Sequence, residues 1–363
     1  MKFKCEKTLL QEAISIAQKA VTGKSTMTIL EGIQIEVSNN EVTLIGSDTD
    51  LSVETKISCS TSDTGKIVVD SKIFGEIIRK LPNDEVEISS ISGNTIEINC
   101  QKSSFNLVHM SAEDYPSLPK INENMILSMP QRILKNMIKG TIFAVAQDET
   151  RPILTGVLLE VKDRRINMVA LDGYRLALKS ESIDTDNTIS AVIPGKTLSE
   201  VSRILEESDE IVNITFTTNH ILFNLGETKI ISRLLEGEFI KYASIIPEEY
   251  SVKVIAKRGE MLNCIERASL MAKEGNTNLI KFSIEEEDVV ITSNSQLGKV
   301  REELNILLQG QPLEIAFNSK YLIDVFKILE EDEIQMEFSS SVSPCVVRNK
   351  EQDNCIYLVL PVR

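Results

Sequence analysis

Asp70-Ser71-Lys72-Ile73-Phe74-Gly75-Glu76-Ile77-Ile78-Arg79-Lys80-Leu81 has two later counterparts in this chain. They are Pro194-Gly195-Lys196-Thr197-Leu198-Ser199-Glu200-Val201-Ser202-Arg203-Ile204-Leu205 and Asn318-Ser319-Lys320-Tyr321-Leu322-Ile323-Asp324-Val325-Phe326-Lys327-Ile328-Leu329. The register is constant, since 196 − 72 and 320 − 196 are both 124. Each stretch opens on a turn-forming or capping residue and continues with apolar residues at helical spacing. Phe74, Leu198 and Leu322 correspond, as do Ile77, Val201 and Val325, and Leu81, Leu205 and Leu329. They give each helix one apolar face. A period of this length marks tandem copies of one folding unit.

The copies extend beyond these helices. Alternating apolar residues ahead of each predict a hairpin. The first spans residues 32–37 and 42–45 around Ser38-Asn39-Asn40, and the second spans 156–161 and 166–169 around Asp163-Arg164. The third spans 280–284 and 289–292 around the acidic turn 285–288. Each unit opens with a strand and an amphipathic helix, over residues 7–21, 131–146 and 258–271. The expected fold is therefore α+β, with two helices packed on antiparallel sheets in each of three tandem domains. Their expected bounds are 1–119, 125–247 and 250–363, with proline-containing junctions at Tyr115-Pro116-Ser117-Leu118-Pro119 and residues 242–249. A length of 363 residues suits several cores better than one.

Composition places the chain among globular proteins, with 42 % hydrophobic and 26 % charged residues. No apolar run approaches the roughly 20 residues that span a bilayer. The opening Met1-Lys2-Phe3-Lys4-Cys5-Glu6 lacks the continuous apolar segment of a signal peptide. Cys5, Cys59, Cys100, Cys264, Cys345 and Cys355 are scattered, with no C-x-x-C pair, and read as reduced thiols of a cytoplasmic protein. The net charge of −15 argues against nucleic-acid binding unless positive charge gathers locally.

It does gather. Each repeated helix carries a basic residue near its start and another seven residues later: Lys72 and Arg79, Lys196 and Arg203, Lys320 and Lys327. Seven residues fall about 20° short of two turns, so each pair shares a stripe, away from the apolar face. The first helices add Lys19, Lys135, Lys139, Arg267 and Lys273. A solvated face with ordinary ion pairs is the competing reading, because Glu76, Glu200 and Asp324 each precede the second basic residue by three. Repetition in three units favours a shared surface that meets duplex DNA through its phosphates without reading sequence. An acidic remainder would repel DNA from every other face.

Catalytic patterns are missing. His109 and His220 have no H-x-x-x-H or H-E-x-x-H partner. Gly23-Lys24-Ser25 and Gly195-Lys196-Thr197 imitate a phosphate loop, but Gln18 and Ser190 stand where its first glycine belongs. Asp48-x-Asp50 and Asp184-x-Asp186 do not continue as a calcium loop and read as turns. The expectation is a non-enzymatic protein with no cofactor and no metal. An open, non-encircling DNA-binding scaffold is the first alternative, and an enzyme with an unrecognised site between domains is the second.

Several motifs, in order along the chain, resemble the beta subunit of bacterial DNA polymerase III. They are Met1-Lys2-Phe3, Thr28-Ile29-Leu30-Glu31-Gly32-Ile33, Ala170-Leu171-Asp172-Gly173-Tyr174-Arg175-Leu176-Ala177, Phe239-Ile240-Lys241-Tyr242 with Ile246-Pro247, and Tyr357-Leu358-Val359-Leu360-Pro361-Val362-Arg363. The resemblance implies a DNA sliding clamp: three clamp domains per chain, two chains closed head to tail as a ring, helices lining the hole. It implies DNA contacts at Lys24, Lys72, Gln147, Arg151, Lys196 and Lys320, to which the helix stripe adds Arg79, Arg203 and Lys327. It also implies a groove for short peptides of the replicative polymerase, the clamp loader and repair proteins. The wall of that groove would be Leu154, Leu171, Gly173, Tyr174, Arg175, Leu176, Ile240, Ile245, Pro344, Leu358, Val359, Leu360, Pro361 and Val362. Pro152-Ile153 stand where some relatives have an aromatic pair. Ile240 and Ser244 stand where relatives often have proline and arginine, which implies a different peptide preference.

Overall fold

The computed structural model describes residues 1–21, 23, 26–119, 121, 125–274, 277–349 and 354–362. Among these, six α-helices occupy the places that the period marks: α1 (Lys7–Ala17), α2 (Ser71–Lys80), α3 (Gln131–Lys139), α4 (Gly195–Ile204), α5 (Arg258–Glu274) and α6 (Ser319–Ile328). Local chemistry sets their starts. The Asp70 carboxylate accepts from the Ile73 amide at 2.7 Å, and the Asn318 side chain accepts from the Lys320 amide at 3.0 Å. At the start of α4 a Cβ on Gly195 would stand 2.8 Å from the Thr155 carbonyl oxygen, so the close approach requires glycine.

Three expectations need correction. α1 ends at Ala17 rather than near Val21, and Gln18–Ala20 follow as a 3-10 turn. α3 stops at Lys139, although the apolar period continues to Ala146. Gly140 follows, and the Thr141 hydroxyl donates back to the Met137 carbonyl at 2.9 Å, so Ile142–Ala144 form a separate 3-10 turn. On α2 the deepest residues are Phe74 and Ile78, and Ile77 is only partly buried. The corresponding Val201 and Val325 are fully buried, as expected.

The chain forms two compact units, and the division passes through α3 and α4. The first comprises Met1–Leu134 and Ser199–Leu234. Its thirteen strands form one continuous hydrogen-bonded run. Strand Thr228–Arg233 pairs antiparallel with strand Leu51–Ser58, which joins strands of the middle repeat to those of the first. Ile230 faces Val53, and the hydroxyls of Thr55 and Thr228 meet at 2.9 Å. α1 and α2 bury Leu10, Ile14, Phe74 and Ile78 with Phe3, Ile33, Leu44 and Ile98 in one core. Full burial of such side chains contributes about 1.5–3 kcal/mol each.

The second unit comprises Lys135–Leu198 and Leu235–Arg363. A nine-stranded sheet joins the repeats by the same device, with strand Arg175–Ser182 antiparallel to strand Cys355–Val359. A four-stranded sheet carries the third hairpin. α5 and α6 bury Met261, Ile265, Leu322, Val325 and Phe326. Phe282 and Phe317 meet edge to face, with ring centres 5.8 Å apart. No helix among the described residues is long and apolar enough to cross a membrane.

Candidate functional site

The site begins with a tight turn. Asp172 Oδ1 accepts from the amides of Tyr174 at 2.9 Å and Arg175 at 3.1 Å, and Gly173 turns the chain at φ +93°. The turn leaves Tyr174 exposed and sends Arg175 inward, where its side chain is 7 % exposed. A charge so placed requires partners. Arg175 Nε donates to Asp172 Oδ2 at 3.0 Å, and Arg175 Nη1 donates to Asp324 Oδ2 of α6 at 2.6 Å. The guanidinium lies 4.6 Å from the ring centre of Tyr321 and 5.6 Å from that of Phe143. The turn is thus fastened to α6 by charge and aromatic stacking together.

Beside it, Leu154, Leu171, Leu176 and Leu358 are buried in one apolar cluster, with Leu360 packed against them. Arg175 is opposite Val359 and Leu176 opposite Leu358 in the sheet. The Leu360 amide donates to the Tyr174 carbonyl and the Val362 amide to that of Ala316, both at 2.8 Å, holding the half-buried Pro361 between them. Pro344 precedes Cys345, which is opposite Val359. Ile240 and Ile245 are exposed next to Phe239 and Ile246, which pack on the cluster. Of the fourteen proposed wall residues, Leu154, Leu171, Leu176, Leu358 and Val359 are buried and apolar, Arg175 is buried and charged, Pro344, Leu360 and Pro361 are half-buried, and the remainder are exposed. Tyr242 seals one side: its hydroxyl donates to Glu160 Oε2 at 2.8 Å, and burial followed by Glu160 pushes its pKa up to about 12.

Sequence reasoning missed Phe143, Tyr321 and Asp324 as the groups that hold Arg175, and missed Phe239 and Tyr242 as packing residues. Their one signal was position, since Tyr321 and Asp324 lie within the repeated helix.

Of the residues expected to meet DNA, Lys24 lies outside the described residues. Lys72, Arg79, Gln147, Arg151, Lys196, Arg203, Lys320 and Lys327 are all exposed. Lys72 and Arg79 make no ion pair among the described residues and line a hollow of about 500 Å³ with Gln18, Asp70 and Glu76. Of the three helix ion pairs on which the competing reading relied, one forms among the described residues, between Glu200 and Arg203. Asp324 is engaged by Arg175 instead, and Lys327 pairs with Glu266 of α5 at 2.8 Å.

The acidic pairs are turns. Asp48 caps its own loop, and Arg164 holds Asp184 at 2.8 Å and Asp186 at 3.2 Å. His109 lies in strand Ser103–Ser111 and His220 opens strand His220–Leu225, with its pKa lowered by burial and by Arg233.

Family models of the DNA polymerase III beta subunit match in chain order. The N-terminal domain matches residues 1–119, the central domain 128–241 and the C-terminal domain 243–363. The beta sliding clamp of Bacillus subtilis is 38 % identical, covering 100 % of both chains. The crystal structure of the DNA polymerase sliding clamp from the same organism superposes with a TM-score of 0.96, covering 100 % of this chain and 99 % of that one. A Pseudomonas aeruginosa sliding clamp bound to griselimycin, 26 % identical, covers 100 % of this chain and 99 % of its own at a TM-score of 0.95. The threefold period, the strand-joined repeats and these matches agree: with three tandem clamp domains, this chain belongs to the DNA polymerase III beta subunit family, the bacterial sliding clamps.

Proposed function

We propose that two copies of this sliding clamp close head to tail around duplex DNA and present the groove beside Arg175 to short peptides of the replicative polymerase, the clamp loader and repair proteins. As a member of its family the chain is a processivity factor in DNA replication and not an enzyme. Tethering does the work: a held polymerase meets its primer end at the effective concentration of an intramolecular partner. The chain would act in the cytoplasm and be loaded by an ATP-driven partner. The proposed domain bounds remain 1–119, 125–247 and 250–363.

One observation carries the ring reading. Among the described residues, residues 103–108 of strand Ser103–Ser111 pair on one side only, and Phe105 and Val108 stand exposed there. In the third repeat, strand Lys299–Asn305 likewise pairs, among the described residues, only with strand Asp288–Asn294. Open edges of this kind invite another strand. Joining the first edge of one copy to the second edge of its partner, twice over, covers these four edges and closes the assembly. Lys24, Lys72, Arg79, Gln147, Arg151, Lys196, Arg203, Lys320 and Lys327 would then face the duplex. Contacts to phosphates alone would be weak and salt-sensitive, which suits sliding.

The test is retention on nicked circular DNA after loading, before and after the circle is cut. High-salt retention that vanishes on cutting supports encirclement. Loss in salt on circle and linear DNA alike favours the open scaffold. Changing Lys72, Lys196 and Lys320 together to Glu should abolish retention while dimers persist in sedimentation.

A further inference from the structure

Two of the six cysteines come together in the first unit, where strand Ser60–Asp63 ends the run of thirteen strands. That strand is antiparallel to strand Lys2–Glu6, with Phe3 opposite Thr61 and Lys4 opposite Ser60. One further step of the same register sets Cys5 opposite Cys59. Packing agrees with it. Alternation puts Phe3 and Cys5 on one face of their strand, and both are buried in the core of this unit. Cys59 packs against the same core. Its thiol lies 3.2 Å from the Thr61 hydroxyl, on the face that meets Phe3. The Cys5 pKa is pushed up to about 12 by burial and then by the neighbouring Cys59. The remaining cysteines are not matched in this way. Cys100 is opposite Ser103, and Cys264 lies on α5. Cys345 is opposite Val359, which leaves Cys355 four positions away, about 13 Å along its strand.

Opposed residues of an antiparallel pair have Cα atoms about 4.5–5.5 Å apart, within the roughly 4.4–6.8 Å that a disulfide spans. The two thiols differ in access. Cys59 is half-buried, whereas Cys5 is 5 % exposed, so an oxidant from solvent meets Cys59 first. We infer that Cys5 and Cys59 form a reversible disulfide when a low-molecular-weight disulfide is in excess over its thiol. The Cys59 thiolate attacks one sulfur of the small disulfide, which makes a mixed disulfide and expels one thiolate. The Cys5 thiolate then attacks the Cys59 sulfur, which closes the bond and expels the second thiolate. The protons given up by the two cysteines end on the two expelled thiols. Two cysteines are oxidised and one small disulfide is reduced. In a reducing cytoplasm both stay thiols, and the bond marks a loss of that condition. It fastens the N-terminal strand to the chain leaving strand Leu51–Ser58, the strand that joins the first repeat to the middle one. The site does not depend on encirclement of DNA.

The test is incubation of the folded full chain with glutathione disulfide, an acid quench, alkylation in denaturant and peptide mapping by mass spectrometry without reduction. The alkylatable thiols should fall from six to four, with the Cys5 and Cys59 peptides recovered as one linked pair that dithiothreitol separates. The linked protein should melt at a higher temperature than the reduced one. Cys5→Ala removes the second nucleophile, so this variant should accumulate the glutathione adduct on Cys59 that the unaltered protein resolves. Cys59→Ser should keep Cys5 as a free thiol and show no rise in Tm. Three results would overturn the pairing: six free thiols, a stable adduct on Cys59 of the unaltered protein, or a link between any other two cysteines. The map of the unaltered protein decides the matter even where a variant fails to fold.

Discussion

The first and second repeats build the same turn and use it differently. Shifted by 124 residues, Ser47-Asp48-Thr49-Asp50-Leu51-Ser52 becomes Leu171-Asp172-Gly173-Tyr174-Arg175-Leu176. Asp48 Oδ1 accepts from the amides of Asp50 at 3.2 Å and Leu51 at 2.8 Å, as Asp172 does from Tyr174 and Arg175. The flanking residues differ. Ser47 and Ser52 satisfy each other through a hydroxyl–hydroxyl contact of 2.8 Å, whereas Leu171 and Leu176 join an apolar cluster. Around them, Leu30, Ile45 and Val68 match Leu154, Val169 and Val192. In the first repeat Tyr115 closes this cluster, with its hydroxyl on the Ile45 carbonyl at 3.2 Å. In the second, the matching Phe239 is only partly buried and Ile240 beside it is exposed. A serine pair and a tyrosine plug make a sealed joint; a leucine pair without the plug makes a surface that a peptide's hydrophobic anchors can enter.

The largest effect should come from the residue with no counterpart in charge. Leu51 stands where the second repeat has Arg175. Arg175→Met strands Asp172 and Asp324, and urea unfolding should show a loss of about 3–5 kcal/mol. A loss below about 1 kcal/mol would mean that the network is not needed to hold the turn. Next, Leu171→Ser with Leu176→Ser rewrites the second turn in the manner of the first. Binding of a fluorescent clamp-binding peptide should weaken about a hundredfold, with a melting curve to show that the fold persists. Binding within threefold of the parent, by this rough criterion, would remove the leucine pair from the groove. Tyr115→Phe deletes one hydrogen bond from the sealed joint and should cost about 1 kcal/mol in urea with no change in peptide affinity. The smallest effect is a gain. Thr49 holds φ +82° where Gly173 holds +93°, a conformation that costs L residues about 1–2 kcal/mol. Thr49→Gly should therefore raise stability by about 0.5 kcal/mol, net of the added chain entropy.

The repeat was legible because the helices keep their apolar spacing, and Phe74, Leu198 and Leu322 are all fully buried. The hairpins were legible for the same reason, through alternation. The end of α3 was not. Ile142, Phe143 and Val145 extend the helical period, and periodicity alone cannot register that Thr141 turns its hydroxyl on the preceding carbonyls. The proposed groove residues rest on motifs, but the partners of Arg175 could not be named in that way, because Asp324 is 149 positions away and reads as an ordinary surface acid of its helix. The competing reading, in which Asp324 would meet Lys327, does not hold at this helix for that reason. A buried guanidinium binds a carboxylate more strongly than an exposed ammonium does.

The pairing of strand Arg175–Ser182 with strand Cys355–Val359 has a consequence in time. The two are about 170 residues apart in the chain. At roughly 5–20 residues per second, ribosomal synthesis would leave the earlier strand without this neighbour for on the order of ten to thirty seconds. During that interval a nascent chain displays a row of unpaired amides and carbonyls beside the apolar cluster, and sister chains on one message display the same row. The joint beside the proposed groove is thus also the point where polysomes risk cross-pairing, and slower translation between residues 182 and 355 should increase insoluble product.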